Sequence, residues 1–288
     1  MAPPNFPNGM SLHDIGFAAL KYPALPPPPY NVPVGNMIGA LQRVPSGAQN
    51  QMIAQIASQY LTALLDYETS DEPALHDQSL PQYYISSALS LLNFLSTSPD
   101  VSKRIVARPA IINNVIEKLL DPTFVKRMKA VQRPGGFNFP AATFDADFGT
   151  LLQTVSTVFL YTDDVNATFP RARELIPKLR QWEREYKRSP VKSISNVCER
   201  LIPQIEDAEE MFELATMMRG AMSGSLVCGV ASCGISGPEN LTTCSGCHIQ
   251  RYCGRDHQRA DWKYHKRICN KGLVEEETTT AEPGAEGS

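Results

Sequence analysis

Residues 228–269 constrain this chain more than any other stretch, because they concentrate its cysteines and histidines. They hold six of the seven cysteines and three of the five histidines of the 288-residue sequence. Eight of these side chains form four closely spaced pairs, which are Cys228/Cys233, Cys244/Cys247, Cys253/His257 and His265/Cys269. Such short gaps let two side chains of one turn, or of one helix face, point at a common ion. Four pairs are enough for two tetrahedral zinc ions.

The composition of the same segment favours metal as its source of stability. Its few aliphatic side chains cannot form a self-sufficient core; in and beside it lie Leu226, Val230, Ile235, Leu241, Ile249 and Ile268. A structural zinc contributes on the order of 10–16 kcal/mol at neutral pH. Disulfides are the alternative, but they are typical of secreted chains. Residues 1–14 show no basic stretch followed by an apolar one, so we expect no signal peptide.

The end of this segment resembles a MYND-type zinc finger. Tyr252–Cys253, Gln258, Trp262 and His265-x3-Cys269 stand where that family places a Tyr-Cys pair, a polar residue, a tryptophan and the last ligands. The first gap is longer than usual, and His257 replaces a cysteine. The resemblance implies two cross-braced structural zinc ions, the first bound by Cys228, Cys233, Cys253 and His257 and the second by Cys244, Cys247, His265 and Cys269.

Two further features of the finger bear on its role. His248, next to Cys247, is a rival ligand that we predict to be a surface residue. Arginines and lysines line the last helix, and we predict a solvated face rather than a nucleic-acid reader, because no base-reading side chains are identifiable. The resemblance implies protein binding, with Tyr252, Gln258 and Trp262 as the candidate peptide-contacting residues. For Trp262 a position in the finger core is the alternative.

The middle of the chain has a helical pattern. Residues 49–67 carry apolar side chains at a spacing of three and four. Proline and serine signals then divide the sequence into further predicted helices at about 79–97, 100–107, 109–120, 143–161, 169–187 and 190–216. Ser87–Leu95 and Ile105–Leu120 loosely resemble consecutive helices of an armadillo repeat, and Leu152–Leu160 with Glu174–Leu179 repeat the pattern. An unrelated helical bundle is the alternative.

The resulting fold class is mainly α, with an armadillo-like helical domain followed by a small two-zinc finger. The predicted division is a proline-rich disordered amino terminus at 1–35, the helical domain at 36–216, a flexible linker at 217–227, the finger at 228–269 and an acidic disordered tail at 270–288. The amino terminus carries two short peptide motifs, PxLxP at residues 23–27 and PPxY at residues 27–30. A solvated tail without binding function is the alternative for this segment.

Composition and missing motifs narrow the function. A net charge of −3 provides no general attraction to nucleic acid or membrane, and no apolar run is long enough for a membrane span. Neither a phosphate-binding loop nor a catalytic triad is evident, and Cys198 is predicted to be a buried structural thiol. We therefore predict a non-enzymatic intracellular adaptor, cytoplasmic or nuclear, whose finger binds proline-containing peptides. The alternatives are a transcriptional co-regulator in chromatin complexes and a RING-like E3 ubiquitin ligase.

Overall fold

The computed structural model describes residues 11–21, 34–131, 144–189 and 193–270, apart from the side chains of 208–210. These ranges are mainly helical, which confirms the prediction of a mainly α fold. The armadillo-like arrangement of the helices stays a prediction. The helices before the finger are α1 Leu12–Lys21, α2 Val34–Leu41, α3 Ser46–Glu68, α4 Pro73–His76, α5 Pro81–Tyr84, α6 Ser87–Leu95, α7 Pro99–Val106, α8 Ala110–Leu120, α9 Phe124–Ala130, α10 Phe144–Leu160, α11 Val165–Thr168, α12 Ile176–Tyr186, α13 Ser193–Glu206 and α14 Ala208–Gly224. A 3₁₀ turn at Ala172–Leu175 leads into α12.

The core of the helical part is organised around α3 and α6. The predicted stripe of α3 is buried, including Ile53, Ile56, Tyr60 and Leu64. Helix α6 is buried on almost every side, because it lies among α1, α2, α3 and α10. A helix surrounded in this way needs apolar residues all round rather than on one stripe, as its sequence SALSLLNFL shows.

The second half of the helical part packs α10 and α12 against α13. Aromatic rings join the first two helices, with Phe148 and Trp182 in an edge-to-face contact at 4.9 Å between centroids. Cys198 of α13 is fully buried in this core, and burial raises the pKa of its thiol to about 12. The thiol therefore stays protonated at neutral pH, which agrees with the structural role that the sequence predicted.

Two predicted helices are divided in the structure. The helix expected at 79–97 is interrupted at Ile85, whose backbone is extended, and α6 starts afresh because the Ser86 hydroxyl caps it by accepting the Leu89 N–H at 2.8 Å. The helix expected at 190–216 is interrupted at Asp207. Beyond that residue α14 continues to Gly224, so most of the predicted linker at 217–227 is helical. Its alanines and methionines favour helix despite two glycines.

The predicted disordered amino terminus is wrong for residues 12–21, which form α1. This stretch lies between the proline clusters, and it buries Ile15, Ala18 and Ala19 beside α3 and α6. Its first turn is capped, since the Asp14 carboxylate accepts hydrogen bonds from both the backbone N–H and the hydroxyl of Ser11. Serine followed three residues later by an acidic residue is a capping-box signal that the proline content of the segment obscured.

The finger consists of short elements. Strands β1 Thr242–Thr243 and β2 Arg251–Tyr252 pair antiparallel, with Thr242 opposite Tyr252. A 3₁₀ turn at Pro238–Asn240 precedes β1, and helix α15 Arg255–His265 follows β2. The earlier loop is closed by a bridge between Val227 and Ser236. These elements are too small to be stable without additional cross-links.

Some sequence predictions lie outside the described residues. They are the PxLxP and PPxY motifs at 23–30 and the acidic tail beyond Asn270. Within the described ranges, none of the helices combines the length and the apolar character that a bilayer crossing requires.

Candidate metal centre

The first ligand set joins the loop that opens the finger to the start of α15. Cys228, Cys233, Cys253 and His257 each place a ligand atom within 4.8 Å of the others. The Cys233 and Cys253 sulfurs are 3.5 Å apart, and His257 Nδ1 lies 3.5 Å from the Cys228 sulfur. Gly234, at a φ of +72°, turns the loop directly after Cys233 in a conformation that favours glycine.

The second set joins the turn after β1 to the end of α15. Cys244, Cys247, His265 and Cys269 also lie within 4.8 Å of one another. The turn holds Cys247 in place through hydrogen bonds from the Cys244 N–H to the Gln250 carbonyl, at 2.7 Å, and from the Gln250 N–H to the Cys247 sulfur, at 3.4 Å. Gly246 is necessary here, because a Cβ at this position would lie 2.8 Å from the Cys269 sulfur.

Both sets have the dimensions of a tetrahedral zinc site. Zinc–sulfur bonds of about 2.3 Å and zinc–nitrogen bonds of about 2.0–2.1 Å place neighbouring ligand atoms about 3.5–3.8 Å apart. The Cys244 and Cys269 sulfurs are 3.9 Å apart, and His265 Nε2 lies 3.5 Å from the Cys247 sulfur. Three thiols and one imidazole form the donor set that zinc prefers. The segment thus contains two Cys3His zinc-binding clusters.

The two histidines use different ring nitrogens. His257 directs Nδ1 at the sulfurs of Cys228 and Cys253, whereas His265 directs Nε2 at the sulfur of Cys247. The reason is their position on α15: His257 lies in its first turn, close to Cys253, while His265 is its last residue and reaches across to the other site. Because the sets alternate along the chain, each zinc joins a loop to one end of α15.

Burial favours the protonated thiol at two of the ligands, Cys253 and Cys269, until a metal is bound. Desolvation raises the pKa of Cys269 to about 12 and that of Cys253 to about 11, in both cases with the neighbouring cysteines adding to the effect. Metal binding at these residues therefore releases protons. All seven cysteines lie in described ranges and are free thiols. His248, the rival ligand, is exposed at a φ of +56° and belongs to neither set.

The structure places the predicted peptide-contacting residues in two different environments. Tyr252 is buried in the finger, and its hydroxyl donates to the Asp261 carboxylate at 2.7 Å; burial raises the pKa of Tyr252. This placement corrects the expectation that its ring faces a peptide. Trp262 is 46% exposed, so it is not a core residue, and Gln258 is partly exposed one turn earlier on α15.

The finger is docked on the helical part, which the sequence did not predict. Its apolar residues Leu241, Ile249 and Tyr252 join the same core as the helices. The Arg251 guanidinium donates to both carboxylate oxygens of Asp100 at 2.7 Å, and these side chains are only 17% and 11% exposed. The sequence predicted that a flexible linker would separate the finger from the helices, whereas in the structure the two parts are in direct contact.

The second zinc cluster takes part in this contact directly. The Ser58 hydroxyl of α3 donates to the Cys247 sulfur at 3.4 Å, and the Asn270 N–H donates to the Ser58 carbonyl at 2.8 Å. Close to the first cluster, the Gln51 side chain donates to the Cys228 carbonyl at 2.9 Å. Hydrogen bonds to a metal thiolate stabilise its charge and orient it. Helix α3 therefore supports both clusters.

Comparison with known proteins identifies the class of the finger. Residues 227–269 match the family model of the MYND finger, and MYND fingers are zinc-binding modules of protein–protein interaction. Three of the similar proteins are CBFA2T2 of Xenopus laevis (48% identical over 42 residues), human Egl nine homolog 1 (55% over 31) and bovine programmed cell death protein 2 (46% over 48).

These similarities cover the finger region alone. They span 15%, 11% and 16% of this chain and only 7%, 7% and 12% of the respective relatives. No solved structure matches the chain. The comparisons thus define the carboxy-terminal finger, while the helical part is characterised by its own structure.

Proposed function

We propose that this chain is a non-enzymatic adaptor whose MYND finger binds a proline-containing peptide of a partner protein. In this proposal the helical part is a platform that holds the finger in a fixed orientation and offers a surface to a second protein. The observation that carries the proposal is the position of Trp262. This side chain is exposed and lies beside the second zinc cluster, in a finger that packs against the helical part.

The zinc clusters support a structural role for the metal. Each cluster offers four protein ligands, whereas catalytic zinc sites typically offer three and leave one position for water or substrate. A zinc with four protein ligands has no position at which to polarise a substrate. In this proposal the zinc ions maintain the fold of the finger. The chain is assigned neither hydrolase activity nor ubiquitin transfer. A ubiquitin-discharge assay with a panel of conjugating enzymes tests the latter, with no discharge expected.

The exposed face of α15 supports peptide binding. The centroid of the Trp262 ring lies 6.0 Å from that of His265, a ligand of the second cluster, so the exposed tryptophan borders the metal site. Gln258 lies one turn away on the same helix and supplies an amide that donates and accepts hydrogen bonds. Aromatic rings beside hydrogen-bonding groups are the surfaces on which proline-rich segments bind.

The test is a titration of the full chain with a fluorescent peptide that copies residues 21–31 and so contains both proline motifs. Leu25 and Pro26 of the chain are changed to alanine beforehand, so that its own motif does not compete. We expect Trp262→Ala to weaken binding about ten-fold, because truncating an aromatic anchor typically costs more than about 1 kcal/mol and about 1.4 kcal/mol corresponds to a factor of ten. Tyr264→Ala, an exposed aromatic two residues away, is the matched control and should change binding less than about two-fold.

Two outcomes contradict the proposal. One is the absence of peptide binding by the chain with an intact Trp262. The other is an equal loss in the Trp262 and Tyr264 variants, which indicates general stickiness of α15 rather than a defined site.

We place the adaptor in a reducing, intracellular compartment. Six of its seven free cysteines belong to the two clusters, and their thiols must stay reduced to bind zinc. Imaging of the tagged protein decides between cytosol and nucleus, and an extracellular location contradicts this assignment.

A further inference from the structure

A groove separates the finger from the helical part on the side of the second zinc cluster. It has a volume of about 280 Å³, and its walls come from α3, from the end of α7 and from the turn that follows Cys247. This is at the lower limit of about 300–1,000 Å³ for small-molecule pockets. The groove is therefore the right size for a few side chains of a peptide.

The groove combines an apolar floor with a cationic rim. Leu61, Leu65 and Ile249 form the floor and are buried. Two arginines of the α7 region, Arg104 and Arg108, line the rim. No carboxylate is found among the lining residues that the structure describes. A matching segment has aliphatic side chains followed by acidic ones.

The rim arginines have free donor capacity. Arg104 is exposed and has no ion-pair partner in the described parts of the chain. Arg108 pairs with Asp66, which is itself 57% exposed, but a guanidinium carries five N–H donors and can serve a second carboxylate. Charge-assisted hydrogen bonds of this kind are the stronger class.

The chain's own carboxy-terminal segment starts at this groove. Asn270 is a lining residue, and it is fixed there by hydrogen bonds from its N–H to the Ser58 carbonyl and from its side chain to the Gly246 carbonyl, at 2.8 and 2.6 Å. The sequence that follows is Lys-Gly-Leu-Val-Glu-Glu-Glu, with the glutamates at 275–277. Five residues of extended chain span about 17 Å. That length is enough for Leu273 and Val274 to reach the floor and for the glutamates to reach the rim.

We propose that residues 273–277 occupy this groove, with the aliphatic pair on the apolar floor and the glutamates paired with Arg104 and Arg108. The bound tail then blocks the groove, and other acidic peptides have to displace it in order to bind. This inference is independent of peptide binding at Trp262, because the groove and the exposed face of α15 share no residue.

The test uses the full chain and a fluorescent peptide that copies residues 271–281. In the wild-type chain the tethered tail competes at an effective concentration of about millimolar. We expect the Glu275→Gln/Glu276→Gln/Glu277→Gln chain to bind the added peptide at least about ten-fold more tightly than wild type. Glu282→Gln/Glu286→Gln is the control in the tail and should behave as wild type.

A second substitution locates the site. In the triple-glutamine chain, Arg104→Glu should remove peptide binding, whereas Lys103→Glu, an exposed neighbour on α7 that does not line the groove, should leave most of it. Wild-type and triple-glutamine chains that bind alike overturn the proposal. So does an equal effect of the Arg104 and Lys103 changes, because it reduces the binding to general charge attraction. Circular dichroism confirms that each variant is folded.

Discussion

The helical part and the finger of this protein are stabilised in different ways. The helical part buries apolar side chains of α3, α6, α10 and α13 in one continuous core. The finger adds few apolar residues to that core and relies on eight ligands in two clusters. The difference shows how a segment too small to fold by burial becomes rigid: metal cross-links it internally, and a larger neighbour supports it from outside.

The contact between the finger and the helical part means that damage to a zinc cluster can be measured as a change in the stability of the helices. If the finger were an independent module, damage to its clusters would leave the helices unaffected. Helix α3 contacts the second cluster at a ligand sulfur, through Ser58, whereas it contacts the first cluster only at the backbone carbonyl of Cys228, through Gln51. The structure therefore predicts unequal consequences for the two zinc sites.

The largest effect is expected from removing ligands of the second cluster. The change Cys244→Ser/Cys247→Ser should unfold the finger, since a structural zinc contributes on the order of 10–16 kcal/mol. Far-UV circular dichroism should fall only slightly, because α15 is the only helix of the finger in the described residues. Native mass spectrometry should show loss of zinc. A collapse of the whole helical signal would mean that the two parts fold as one unit.

The first cluster is the control for this experiment. Cys253→Ser also disrupts a zinc site, but Cys253 makes no hydrogen bond to α3 in the described structure. The melting temperature of the helical part should therefore fall less than in the Cys247→Ser chain. Equal melting temperatures would contradict a special role for the contact at Ser58.

Within the helical part, the next largest effect is expected at Gly16. A Cβ at this position would lie 2.1 Å from Cδ2 of the fully buried Tyr60, so α1 has to move away from α3. Gly16→Ala should lower the free energy of unfolding by about 3 kcal/mol. Urea denaturation measures it. Gly47→Ala, where a Cβ has open space in α3, should be neutral or stabilising by up to about 1 kcal/mol; a similar loss at both positions would refute the packing of α1.

The next largest effect on stability is expected at the ion pair between Asp100 of the helical part and Arg251 of the finger. Asp100→Asn leaves the Arg251 guanidinium, only 17% exposed, without its charged partner. We expect a loss of about 2 kcal/mol in the free energy of unfolding, as for other hydrogen bonds to charged groups. Asp163→Asn is the control, because Asp163 is 93% exposed where it meets Arg219 and its removal should change stability by less than about 0.5 kcal/mol. Equal effects would show that the finger does not depend on this contact.

The smallest effect is expected at Ser58. Ser58→Ala removes the hydroxyl that donates to Cys247 and should cost about 1 kcal/mol. Zinc affinity of the second cluster should fall about ten-fold, as is usual for hydrogen-bond partners of metal ligands. Competition with a chelator measures it. Zinc release that is unchanged relative to the wild-type chain would remove Ser58 from the support of the cluster.

The sequence alone determined the features that depend on short separations along the chain. The ligand pairs could be predicted because two to four residues separate their members, and a turn or a helix face then brings them together without help from the rest of the molecule. The stripe of α3 was visible for the same reason. Helix α1 was missed although its capping residues Ser11 and Asp14 are close in sequence, because neighbouring prolines outweighed that signal.

Only the tertiary structure decided how the finger sits on the helices. Arg251 and Asp100 are 151 residues apart, and Ser58 and Cys247 are 189 residues apart. No local pattern connects such pairs, since their meeting depends on the packing of all the helices between them. Burial separates Tyr252 from Trp262 for a similar reason: both are aromatic residues of the finger, but the side on which the core lies decides which of them faces solvent.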